Sequence, residues 1–221
     1  MNVYIIYNAV SEQSSQIAEE SLNSFAGYES WVPSLFNGCD PSTLHVYEEK
    51  YNLPEDPKKK FVGLPMYPHK KSCFYSHYAL WEKCIKLDEA IAVVEHDTVC
   101  VGEVPNYAED GITQLTTDSM LGRNAPFLEG KYISTMRGLG NGLHRIWYKH
   151  PHGHIGLAGC TGYIITPTAA EYYFEKCKTY GWHQNDLLIR DEHTPLYYFY
   201  PSPIKWCKEK ELRSSTQGVK L

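Results

Sequence analysis

Residues 3–41, VYIIYNAVSEQSSQIAEESLNSFAGYESWVPSLFNGCDP, contain three hydrophobic patterns in succession. The β-rich apolar run at residues 3–7 predicts a buried strand. Ser11 is a suitable N-cap for the helical pattern that follows, and Gly27 is suited to end it. A second extended segment then stops at the turn-forming residues 37–41. This β-α-β order favours a parallel sheet with helices packed against it.

The rest of the chain continues the alternation of strands and helices. Residues 72–89 predict a helix that is apolar on two faces and therefore buried, with Ser72 as its cap. The run IAVV at residues 91–94 predicts a strand, and residues 163–165 predict another. Thr166 and Pro167 then begin a helix. We expect an α/β fold with a Rossmann-like, mostly parallel central sheet and helices on both faces.

The length of 221 residues favours one domain over residues 1–221. Residues 102–155 are rich in Gly, Pro and Asn, which predicts an irregular insert or lid inside this domain.

Composition narrows the function classes. The net charge of −5 weighs against a wholly basic nucleic-acid surface. Lys58–Lys60 and Lys70–Lys71 leave a local anion site open, although a solvated loop is the favoured interpretation. Seven scattered cysteines indicate a reducing compartment, and no signal peptide or membrane-spanning segment is evident. We therefore expect a cytoplasmic protein. The sequence does not indicate its oligomeric state.

The strand at residues 91–94 runs directly into Glu95, His96 and Asp97. Ligands of open α/β sheets bind beyond the carboxyl ends of the strands. Two carboxylates there repel each other unless a cation or hydrogen-bond donors are present, and Mg²⁺ or Mn²⁺ provides such a cation. An exposed acidic turn is the alternative, and spacing alone favours it. Strand alternation directs His96 away from the two acids.

Two other motifs carry weaker signals. The tract HPHGH at residues 150–154 could bind zinc, but its Pro and Gly favour a loop. RGLGNG at residues 137–142 resembles a phosphate cradle without the flanking strand and helix that such a site requires. No nucleophile motif of a hydrolase is present.

The order of several segments resembles glycosyltransferase family 25, the lipooligosaccharide and collagen galactosyltransferase group. The segments that carry the resemblance are VYIIYNAVSEQ (3–13), CFYSHYALWEKCI (73–85), AVVEHD (92–97), GCTGYIITPTAAEYYFE (159–175), NDLLI (185–189) and YYFYPSP (197–203). The resemblance implies a GT-A-like fold, a nucleotide-sugar donor such as a UDP-sugar, Mn²⁺ or Mg²⁺ at the acidic motif, and inversion at the anomeric carbon.

The resemblance also implies roles for individual residues. Asp97 and Glu95 match the metal-binding acids, and Asp186 matches the late acid nominated here as general base. The positions that match donor contacts are Tyr7, Asn8, Ser76, His77, Glu95, Thr161 and Tyr163. The sequence departs from the family pattern at His96, which replaces a middle Asp, and at Lys71 and Ser72, which replace an acidic residue and Gly.

The leading hypothesis is a glycosyltransferase whose acceptor is a glycan such as lipopolysaccharide. One alternative is a bacteriophage-type enzyme that acts on hydroxymethylated DNA bases, held through the lysine cluster. Another is a nucleotide-sugar-binding module without turnover, which the altered acidic motif permits.

Overall fold

The computed structural model describes residues 1–55, 67–116, 140–146, 157 and 160–207, except the side chains of residues 186 and 187. The tract at residues 150–154, Lys58–Lys60 and the first half of RGLGNG, residues 137–139, lie outside these residues.

The described residues contain five α-helices and nine strands. The helices are α1 (Glu12–Ser24), α2 (Leu44–Tyr51), α3 (Tyr67–Leu87), α4 (Pro167–Tyr180) and α5 (Asn185–Leu188). The strands are β1 (Asn2–Tyr7), β2 (Val32–Asn37), β3 (Ile91–Glu95), β4 (Thr98–Cys100), β5 (Ile112–Gln114), β6 (Gly142–Arg145), β7 (Gly162–Ile165), β8 (Leu196–Tyr200) and β9 (Ile204–Trp206).

Seven strands form the central sheet in the order β2-β1-β3-β7-β5-β8-β6, and β4 pairs with β9 in a separate two-stranded sheet. β2, β1, β3, β5 and β8 run in one direction, whereas β7 and β6 run in the other. The prediction of a mostly parallel α/β sheet is therefore confirmed. β5 and β6 come from the stretch that was predicted to be irregular.

Helices cover both faces of the sheet, as predicted. On one face, α3 and α4 pack on alternate strand residues such as Ile91, Val93 and Tyr163. On the other face, α1 packs with Ala18 against Val3, Ile5 and Val94. The period of two along each strand separates these two apolar sets.

Local capping explains where the helices begin. The Oγ of Ser11 accepts a hydrogen bond from the backbone N–H of Ser14, and Thr166 caps α4 with Pro167 in its first turn. The prediction that Ser72 caps α3 is wrong, because α3 already includes Tyr67 and Ser72 is buried inside the helix. Pro68 lies in the first turn of α3 as described, where the absent N–H costs nothing.

Candidate functional site

A cleft of about 280 Å³ lies where β1, β2 and β3 end. These three neighbouring strands are parallel, so their carboxyl ends reach the same edge of the sheet. The residues that line the cleft are Ile6, Tyr7, Asn8, Ser11, Ser14, Gly38, Cys39, Asp40, Pro41, His69, Ser72, Cys73, Ser76, His77, Glu95, His96 and Asp97. The cleft therefore has the position expected for a ligand site in an α/β sheet.

The first wall of the cleft is built by the turns after β1 and β2. The backbone N–H of Asn8 donates to Ser14 Oγ at 3.0 Å, and Asn8 Oδ1 accepts from the N–H of Val10 at 3.0 Å. The N–H of Gly38 donates to the carbonyl of Tyr7 at 2.8 Å. These bonds hold the ends of β1 and β2 together beside the start of α1.

Asp40 is a cleft residue that the sequence reasoning missed. Its Oδ1 accepts hydrogen bonds from the N–H and the hydroxyl of Ser42, and its Oδ2 accepts one from Thr43 Oγ1. Burial raises the pKa of Asp40, but these donors outweigh it and the pKa lies below its usual value. The sequence did place Asp40 just after the predicted second strand, β2. In a parallel sheet the carboxyl end of β2 lies at the same edge as the carboxyl end of β3, where Glu95 lies.

The second wall is the face of α3 that carries Ser76 and His77. Ser76 Oγ accepts from the N–H of Cys39 at 2.9 Å and donates to the carbonyl of Ser72 at 2.9 Å. Ser76 therefore fixes the turn after β2 against α3. Oγ is the only polar atom of this side chain, and both of these hydrogen bonds join it to backbone groups. The observed contacts of Ser76 therefore support the fold.

His77 is 1% exposed and is oriented by a hydrogen-bonded chain behind the cleft. Its Nδ1 lies 2.8 Å from the hydroxyl of Tyr163, which also accepts from Trp81 Nε1 at 3.0 Å. The rings of His77 and Tyr163 stack with centroids 5.7 Å apart. Burial lowers the pKa of His77 to about 3, so its imidazole is neutral. Its Nε2 is buried and has no hydrogen-bond partner among the described residues.

The third wall is the acidic end of β3. The N–H of Glu95 donates to the carbonyl of Thr161 at 2.9 Å, and the N–H of His96 donates to the carbonyl of Ile6 at 3.0 Å. Asp97 Oδ2 accepts from Trp206 Nε1 at 2.7 Å, whereas Asp97 Oδ1 is buried without a hydrogen-bond partner in the described part of the chain.

His96 also lines the cleft. Burial lowers its pKa, and the neighbouring Asp97 carboxylate opposes this effect without cancelling it.

The predicted site residues thus fall into three groups. Tyr7, Asn8, Ser76, His77, Glu95 and Asp97 line one cleft. Thr161 and Tyr163 lie behind it, where Thr161 holds the backbone of β3 and Tyr163 holds His77. Asp186 belongs to α5, but its side chain is outside the description. The catalytic role suggested for Asp186 stays a prediction.

A cluster with metal-binding side chains lies within the cleft. The Sγ of Cys73, a ring nitrogen of His77 and a carboxylate oxygen of Glu95 lie within 4.8 Å of one another. Cys73 was not among the predicted site residues. Its signal was the four-residue spacing to His77, which places both side chains on one face of a helix.

Comparisons with known proteins give one family. A model of glycosyltransferase family 25, described as LPS biosynthesis protein, matches residues 15–137, which is more than half of the chain. A search of curated proteins finds no significant match. Among the described residues, no helix has the length and apolar character needed to cross a membrane.

Two solved structures are similar in outline. One is the galactosyltransferase LgtC in complex with donor and acceptor sugar analogues, with 7% identity, a TM-score of 0.43, and coverage of 93% of this chain and 86% of LgtC. The other is an active-site mutant of LgtC, with the same identity and coverage and a TM-score of 0.47.

Proposed function

The chain belongs to glycosyltransferase family 25, and from this premise we propose that it transfers a sugar from a nucleotide-sugar donor, a UDP-sugar, to an acceptor hydroxyl with inversion. The observation that carries the proposal is the overlap of two independent results. The family match includes Ser76, His77, Glu95 and Asp97, and all four line the cleft at the ends of β1, β2 and β3.

The shape of the cleft supports a nucleotide donor. Backbone turns after β1 and β2 and the first residues of α1 form one side, and the acidic end of β3 forms the other. Tyr7 and Asn8 provide an aromatic surface and an amide beside the N-terminus of α1. A helix N-terminus favours negative charge, which suits the diphosphate of such a donor.

The residues at the end of β3 fit a divalent metal ion. Asp97 Oδ1 is a buried carboxylate oxygen without a hydrogen-bond partner among the described residues, and such an oxygen is costly unless a cation or donor compensates it. Asp97 and Glu95 would supply hard oxygen ligands of the kind that Mn²⁺ and Mg²⁺ prefer. A bound ion would neutralise charge that develops on a diphosphate leaving group.

Inversion requires a general base on the face of the sugar opposite the leaving group. We propose Asp186 for this role because it matches the late acid of the family. Its helix α5 follows α4 and precedes β8. The proposed acceptor is a glycan, which agrees with the description of the family as LPS biosynthesis protein. The proposed compartment is the cytoplasm.

The DNA-modifying alternative finds no support among the described residues. Lys71, part of the cluster on which it rested, is 5% exposed and forms ion pairs with Glu48 and Glu55. A lysine that is buried and neutralised in this way cannot contact a phosphate backbone. Lys58–Lys60 lie outside the described residues.

Calorimetric titration of a panel of nucleotide-sugars, with and without Mn²⁺, tests the proposal. We expect binding to one donor, enhanced by Mn²⁺, and loss of the enhancement in Asp97→Asn. Asp110→Asn is the matched control, because Asp110 is exposed and does not line the cleft. Release of free sugar from that donor would then be measured to test turnover.

Absence of binding to every donor by the folded protein would contradict the proposal. Metal-dependent binding without donor hydrolysis or transfer to any glycan would favour the binding module without turnover. Asp186→Asn should abolish transfer but retain donor binding if Asp186 is the base.

A further inference from the structure

Cys73, His77 and Glu95 form a cluster that the proposed transfer reaction does not require in full. Cys73 and His77 lie one turn apart on α3, and Glu95 is the last residue of β3. Their ligand atoms lie within 4.8 Å of one another. Cys73 forms no disulfide. A thiol, an imidazole and a carboxylate therefore converge from a helix and a strand on one region of the cleft.

The imidazole of His77 is oriented as a metal ligand would be. The hydroxyl of Tyr163 binds Nδ1, so Nε2 is the ring nitrogen left for an ion. That atom is buried and has no hydrogen-bond partner among the described residues. Metal-binding histidines generally use their second ring nitrogen in a hydrogen bond that fixes the ring. Tyr163, itself bound by Trp81, provides this bond.

We propose that Cys73, His77 and Glu95 bind one Zn²⁺ ion. Thiolate and imidazole ligands select zinc over Mg²⁺ and Mn²⁺, which prefer oxygen ligands alone. In a tetrahedral zinc site the bonds are about 2.0–2.3 Å, which sets the ligand atoms about 3.5 Å apart. The three side chains thus need to approach by at most roughly 1.5 Å.

Three protein ligands leave a fourth zinc position for water or a ligand atom. All three residues line the cleft, so this position opens toward the bound molecule. Glu95 belongs both to this cluster and to the acidic pair proposed for Mn²⁺ or Mg²⁺. Zinc would therefore withdraw Glu95 from that pair and weaken Mn²⁺-dependent donor binding. Zinc binding itself does not depend on the proposed transfer reaction.

The test uses the full chain after removal of metals with a chelator. Zn²⁺ is titrated by calorimetry, and Co²⁺ is added as a spectroscopic probe of the same site. We expect one Zn²⁺ per chain and a thiolate-to-cobalt charge-transfer band. Cys73→Ser should remove the band and lower zinc affinity at least about 100-fold, since even loss of an indirect contact commonly costs 10–100-fold.

Glu95→Gln tests the ligand that β3 contributes and should also weaken zinc binding. The cobalt–thiolate band should be retained at high Co²⁺, because the Cys73 thiolate is still present. This variant complements His77→Gln, which changes a buried residue and risks misfolding. Cys207→Ser is the matched thiol control, because Cys207 is half-buried and does not line the cleft. A variant with His150, His152 and His154 changed to Ala tests whether that tract binds the ion instead.

The possible results separate the hypotheses. No zinc bound to the folded chain, or zinc binding unchanged in Cys73→Ser, would overturn the zinc site. Loss of binding only in the variant of the three histidines would do the same. Asp97→Asn should retain zinc binding while losing Mn²⁺-dependent nucleotide binding, so failure of the proposed function leaves a distinct pattern.

Discussion

Trp206 Nε1 lies 2.7 Å from Asp97 Oδ2 and donates a hydrogen bond to it. The backbone N–H of Cys207 donates to the carbonyl of Asp97 at 2.8 Å, beside the pairing of β4 with β9. A strand near the end of the described chain therefore holds the acid at the end of β3. One carboxylate oxygen is fixed by Trp206, and the other is buried in the position proposed to face a metal ion.

Trp206→Phe should weaken Mn²⁺-dependent donor binding about 10–100-fold, because loss of a hydrogen bond to a metal-binding carboxylate commonly has an effect of this size. Calorimetric titration of the donor in the presence of Mn²⁺ would measure it. Trp31→Phe is the control, since Trp31 Nε1 donates to the carbonyl of Gly102 away from the cleft. Equal donor affinity in Trp206→Phe and wild type would show that Trp206 does not position Asp97 for binding.

Tyr163→Phe should destabilise the protein by about 1–3 kcal/mol. The substitution removes the oxygen that accepts from Trp81 Nε1 and binds His77 Nδ1, and a buried polar group without a partner carries its full desolvation cost. Urea denaturation would measure the free energy of unfolding. In Tyr4→Phe the hydroxyl removed makes no hydrogen bond to the described residues, so that variant should change little. Equal stability of the two variants would contradict the role given to the Tyr163 hydroxyl.

Gly38→Ala should destabilise the protein by about 1–3 kcal/mol, the usual cost of overpacking. A Cβ atom at Gly38 would lie 2.7 Å from Ser76 Oγ and 3.0 Å from Ile6 Cγ2. Urea denaturation would measure the free energy of unfolding of this variant. Gly27→Ala is the control, because a Cβ at Gly27 meets nothing within 4 Å. Combining Gly38→Ala with Ser76→Ala should destabilise the protein by less than the sum of the two single changes, because Ser76→Ala removes the Oγ atom that the new Cβ would approach most closely. Additive costs would exclude that clash as the cause.

The opening β-α-β unit was predictable because local signals agree with the tertiary structure there. Ser11 caps α1 as its position before a helical pattern indicates, and β1 and β2 pair in parallel. β5 and β6 were not recognisable, since each has three or four residues with Gly or polar side chains. Their strand conformation depends on pairing with β7 and β8 rather than on local propensity.

The same distinction applies to the cleft. The acidic end of β3 was recognisable because a buried strand that stops at charged residues leaves a clear pattern. Asp40 and Cys73 were missed because their place in the cleft follows from the packing of α3 across the ends of β1 and β2. The binding of Trp206 to Asp97 joins residues 109 positions apart, and no local pattern encodes it.

The ion-pair cluster around Glu82 should make stability sensitive to acid. Burial raises the pKa of Glu82, but hydrogen bonds from Lys50, Lys86 and Tyr51 outweigh it and bring the pKa to about 2, below the ordinary 4.5. The unfolded chain therefore takes up a proton before the folded one does. The contribution of Glu82 is complete above the unfolded pKa and is lost as pH falls from there through the folded pKa.

We expect this contribution to be about 1–2 kcal/mol, because Lys50 and Lys86 are more than half exposed and solvent screens their charges. Urea denaturation of wild type and Glu82→Gln from about pH 6 to pH 2.5 would measure it. The difference in stability between them should shrink as the pH falls. Glu19→Gln, which changes an exposed carboxylate without an ion pair among the described residues, should show no such trend. A difference that stays constant with pH would mean that the low pKa of Glu82 does not stabilise the fold.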